Sequence, residues 1–140
     1  MIPDGFQNSI KWNAGHIYFI QEKFAIHFAG EKMNVSEDFS KMFCPGSKPA
    51  RQDLLSSPPL QEICELLTNQ VERVENTLKD RLQEESPIGY TTSKGLRLLK
   101  VNEFLSFCLY HEGMHFEKIK LIKKLVGSLD NNEKNGSSTR

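Results

Sequence analysis

The sequence predicts an all-α fold, a helical bundle whose first two long helices are joined by a long crossover connection. Three segments of the 140-residue chain repeat apolar side chains every three and four residues, the spacing that builds one face of a helix. No segment alternates apolar and polar residues in the manner of a half-buried strand. More than twenty residues separate the first two periodic segments. A connection of that length can run the length of a bundle, so the helices it joins can lie parallel.

The first helix is predicted from about Ser9, a natural N-cap, to Ala29, with Gly30 as its stop. At about 100° per residue, Trp12, His16, Phe19, Ile20, Phe24 and Ile26 share one wide arc. Lys11, Tyr18, Gln21 and Glu22 fall on the opposite side. The connection that follows, Glu31 to Ser57, is expected to hold a short helix over Ser36–Phe43, capped by Ser36, and to be irregular from Cys44 onward.

The second long helix is predicted from about Pro58 to Gln83, with Ser57 as its cap and Pro58 in the first turn. Leu60, Ile63, Leu67, Val71, Val74, Leu78 and Leu82 form its core stripe. A short, turn-rich link, ESPIGYTTSKG, leads to the third. That helix is predicted from about Lys100 to Val126, stopping at Gly127, with Val101, Phe104, Cys108, His111, His115, Ile119, Ile122 and Leu125 facing inward. Residues 1–127 are read as one helical bundle domain. The polar tail, residues 128–140, is expected to be disordered.

Composition narrows the function classes. Lys plus Arg equals Asp plus Glu, so no basic surface points to nucleic acid or an anionic membrane. No apolar run is long enough to span a bilayer, and the first ten residues lack the pattern of a secretory signal. Cys44, Cys64 and Cys108 are odd in number and widely spaced, which suits reduced thiols and a cytoplasmic location.

The chemistry rests on three histidines. His111 and His115 are four apart, which stacks their rings on one helix face about 6 Å apart along the axis. His16 sits on the inward arc of another helix. A pair of inward histidines is as compatible with plain packing as with a metal. Burying three without partners costs on the order of 1–3 kcal/mol each. A shared divalent cation removes that cost and leaves its fourth position open, the pattern of a catalytic site. His27 projects onto the same face as His16, but about 16 Å along the axis, too far to join one ion. His111 to His115 also spells HExxH, the zinc-protease pattern. Its extended form fails because Lys118 stands where a glycine belongs, so Glu112 is assigned to orienting a ligand imidazole instead.

Two longer stretches carry a resemblance. NSIKWNAGHIYFIQEKFAIHFAG, followed by VNEFLSFCLYHEGMHFEKIKLIKKLVG, resembles the DinB-like (damage-inducible) family, which is related to bacterial metal-dependent thiol S-transferases. The WNxGH pattern is met by Trp12, Asn13, Gly15 and His16. The HExxHxxxI pattern is met by His111, Glu112, His115 and Ile119. The resemblance implies a four-helix bundle with a long crossover and a divalent ion, zinc or nickel, on His16, His111 and His115. Asn13 and Glu112 are then expected to support those ligands. It also implies a transferase joining a small thiol to an electrophilic small molecule. Two alternatives stand beside this: a non-catalytic, stress-related metal-binding bundle, and a metal-dependent hydrolase. The family's usual first helix has no counterpart before Trp12. A groove is therefore expected to stay exposed and to be covered by a second copy in a homodimer, with no nucleic acid or membrane partner.

Overall fold

The computed structural model describes residues 1–49 and 51–136. Helix α1, Ile10–Gln21, starts as expected: the Ser9 hydroxyl accepts from the Trp12 N–H. It continues as one π turn, Glu22–Ile26, and a short 3₁₀ turn, His27–Ala29, before Gly30 ends it at φ +84°. A π turn advances fewer degrees per residue than an α turn. The phase set by His16 is therefore lost by residue 27. His27, projected onto the His16 face, is exposed, while Phe28 and Ala29 are buried.

Helix α2, Glu37–Phe43, is the short capped helix predicted in the crossover. The rest of that connection is not irregular throughout, since α3 occupies Arg51–Ser56. Helix α4 spans Leu60–Leu78 with Pro59, not Ser57, at its N-cap. It stops short of Gln83 because the chain turns there into a β-hairpin, β1 at Glu85–Thr91 and β2 at Arg97–Lys100, paired antiparallel. The hairpin corrects the purely helical expectation. Its alternation was too short to read, because Tyr90 and Leu98 pack on the core while Ile88, Leu96 and Leu99 stay exposed. Helix α5, Val101–Gly136, runs through Gly127 without a break. One glycine costs a helix only about 1 kcal/mol. The expected tail is thus helical to Gly136, and residues 137–140 lie outside the described residues.

Cross-links between helices fix their directions. Lys11 reaches the Ser57 carbonyl, Gln70 the Tyr18 carbonyl and Arg81 the Ala29 carbonyl, so α4 runs parallel to α1. Asn13 meets His115 and Phe28 stacks on Phe104, so α5 runs antiparallel. The long connection therefore does cross the bundle.

Helix α1 lies between its partners, with α4, α5 and α2 packed around it, while α4 and α5 scarcely touch each other. This overturns the assignment of an outward face to α1. Tyr18 is 3% exposed and Glu22 is fully buried. Glu22 accepts from Gln70 Nε2 and Arg73 on one oxygen and from the Asn34 N–H on the other. The opposite correction applies to the outer helices: Val71, placed in the core stripe of α4, is 66% exposed, and Leu60 and Leu82 of that stripe and Leu125 of the α5 stripe are exposed as well. The core lies instead around α1, where Phe24 and Tyr90 pack edge to face, Phe28 and Phe104 stack, and Phe28 and Tyr90 meet at a tilt.

Candidate metal centre

The site forms where α1, α5 and the end of α2 meet, and the WNAGH segment builds it. The last carbonyls of a helix lack intrahelical partners. Those of α2 are taken by side chains of α1. Trp12 Nε1 donates to the Met42 carbonyl at 3.0 Å, and the His16 ring meets the Phe43 carbonyl through Nδ1 at 2.7 Å. Gly15 lets α2 come this close: a Cβ there would lie 2.5 Å from the Phe43 ring. The Trp12 ring stacks on His16, with centroids 4.6 Å apart.

Asn13 holds the other side. Its Nδ2 donates to the Ser9 carbonyl at 2.8 Å, which leaves Oδ1 as an acceptor. That oxygen lies 2.8 Å from His115 Nδ1. Both His16 and His115 thus carry their proton on Nδ1, and each turns an Nε2 lone pair to the interior. Such outer contacts fix the tautomer and aim of ligand imidazoles. Glu112 does not join them, since its carboxylate accepts from Gln21 Nε2 at 2.8 Å. The His111 ring lies against Phe107.

The three rings converge. His16 Nε2 and His111 Nε2 are 3.2 Å apart, and one nitrogen from each of the three histidines falls within 4.8 Å of the others. Two nitrogens on one tetrahedral zinc, each about 2.0–2.1 Å from it, sit about 3.3 Å apart. The donor set therefore fits a divalent ion: three neutral nitrogens, two already aimed by hydrogen bonds at their far ends. Cys108, one turn before His111, stays outside the set. Burial first and Glu112 second push its thiol up to about 12, so it remains protonated.

Electrostatics keep the rings neutral. His111 falls to about 3, through burial, then His115, His16 and Lys118. His115 falls to about 4, through burial, His16 and Lys118. His16 is lowered too, chiefly by burial, with the Phe43 carbonyl opposing and Lys118 adding. Neutral imidazole is the form that binds a cation.

These shifts make the metal-free protein acid-sensitive. All three groups titrate lower when folded than unfolded, so the unfolded chain takes up protons first as the pH falls. The stability they contribute is complete above the ordinary histidine value and drains away toward the lowered values. Each imidazole adds up to about 1.4 kcal/mol per pH unit to the slope. Urea midpoints measured from about pH 7 to about pH 5, above the ordinary carboxylate range, are expected to fall steadily. A flat profile there would contradict the burial assigned to these rings.

Sequence reasoning pointed to the three histidines and Asn13, which the structure brings together. It missed the Phe43 carbonyl, because a backbone acceptor has no residue signature, although the end of a short helix is where free carbonyls occur. No curated protein matches the chain. The family model of the DinB superfamily matches residues 1–119, a span that holds the three histidines and the groups that orient them, and the chain belongs to that superfamily.

Proposed function

We propose that the chain binds one divalent ion, zinc or nickel, through His16, His111 and His115, and serves as a transferase that joins a small thiol to electrophilic small molecules. The observation that carries this reading is the convergence of three imidazole nitrogens within 4.8 Å, two of them oriented from behind. Three protein ligands leave a further position for an exchangeable group, the arrangement of catalytic rather than structural zinc. When bound, the ion supplies Lewis acidity that lowers the pKa of a thiol or water toward neutrality.

The protein's own residues supply position. The Phe43 carbonyl and Asn13 hold the His16 and His115 rings, and Trp12 packs on one face of His16 and keeps water from it. His111 is the more accessible of the three, so the approach for small molecules lies on its side. In the transfer, sulfur bonds to the electrophilic carbon, the leaving group departs with its electron pair, and the thiol proton passes to solvent.

The test combines metal analysis with a conjugation assay. Purified protein is incubated with a model electrophile and several cellular thiols, with and without a chelator. One ion per chain and a thiol-dependent rate lost on chelation are the expected result. A bound ion with no metal-dependent rate for any thiol would overturn the transferase reading in favour of a non-catalytic metal-binding bundle. Absence of a bound ion would overturn both.

A further inference from the structure

One cation on the helix face of the three-histidine site forms no ion pair among the described residues. Lys118 follows His115 by three residues and His111 by seven on the unbroken helix α5, so it stands one and two turns along the same face. It is exposed, and no carboxylate pairs with it among the described residues. The two acids nearest to it along α5 are already committed, Glu112 to Gln21 and Glu117 to Lys120. The ligand set itself is neutral. A divalent ion there would face an ammonium with no acid in the set to offset the repulsion. An arrangement of this kind is relieved by an anion arriving from outside.

We propose that Lys118 anchors a carboxylate carried by the small-molecule ligand, whose sulfur then reaches the open side of the three histidines. This rests on the metal reading above and adds a ligand class to it: small thiols bearing a negative charge. A charge-assisted pair at an exposed site accounts for a preference of up to about fivefold. Met114, on the turn between His111 and Lys118 and 40% exposed, gives the carbon chain of such a ligand an apolar surface to lie on.

The test uses the cobalt(II)-loaded protein and two probes that share a thiol and differ in charge, 3-mercaptopropionate and 2-mercaptoethanol. Each is titrated while the visible spectrum of the cobalt is followed. The wild type is expected to bind the anionic probe up to about fivefold more tightly. Lys118→Ala should lose that preference and leave the neutral probe unchanged, and Lys118→Arg should keep it. Cobalt affinity of Lys118→Ala should be equal to or higher than wild type, because a repulsive charge is gone. An unchanged preference in Lys118→Ala, or weaker cobalt binding, would overturn the role of Lys118 alone. Failure of the wild type to take up cobalt would overturn the metal reading beneath it.

Discussion

Replacing His16 with alanine is expected to lower zinc affinity by on the order of 100-fold or more, enough to give metal-free protein after purification. The reason is geometric. His16 is the one histidine of the proposed set from outside α5, and its Nε2 lies 3.2 Å from that of His111. Without it, two imidazoles one turn apart on a single helix remain, a bidentate set that holds an ion far more weakly than three ligands do. Asn13→Ala keeps all three ligands but frees the His115 ring, and should cost about 10–100-fold. His27→Ala, at an exposed position of the 3₁₀ turn, should match wild type. Competition against a chromophoric chelator measures all three. Wild-type affinity in His16→Ala would remove the three-histidine site from consideration.

The largest effect on stability is expected at Glu22. Its carboxylate is fully buried and bridges three parts of the chain: α1 through its own backbone, α4 through Gln70 and Arg73, and the crossover through the Asn34 N–H. Truncation to alanine strands the partly buried Arg73 guanidinium and leaves the Asn34 N–H and one Gln70 donor contact unmet. Breaking a buried pair by removing one partner costs about 3–5 kcal/mol. Urea unfolding of Glu22→Ala should show a loss of that order. Arg73→Ala should cost less, since Arg73 can exchange its contacts for water, and the double variant should lose less than the sum of the two. A loss below about 1 kcal/mol for Glu22→Ala would show that the network is not holding α1 to α4.

Much of the helical layout was legible because helix periodicity is a local property. The Ser9 and Ser36 caps, the Gly30 stop and the core side of α5 as far as Ile122 each depend on residues within a few turns of one another. The parallel run of α4 followed from connection length. Three features were not legible, each for a different reason. Periodicity identifies an inward arc only for a helix at the surface, and α1 is central, so Tyr18 and Glu22 were assigned to the wrong side. Phase is lost across a π turn, so His27 was projected onto a face it does not occupy. Glycine and polar residues discourage a helix without forbidding it, so α5 passes Gly127.

The sequence by itself determined which residues could bind a metal: three histidines in apolar stripes on two helices, with Asn13 beside one of them. It did so because side-chain chemistry and helical spacing are written residue by residue. Only the tertiary structure decided that the rings meet, which nitrogen of His16 and of His115 carries the proton, and that Glu112 turns to Gln21 instead of to a histidine. Those outcomes depend on a carbonyl at the end of α2, on the close approach that Gly15 allows, and on the antiparallel seat of α5 against α1. Such contacts join atoms far apart along the chain, and packing selects them from many partners that look the same in sequence.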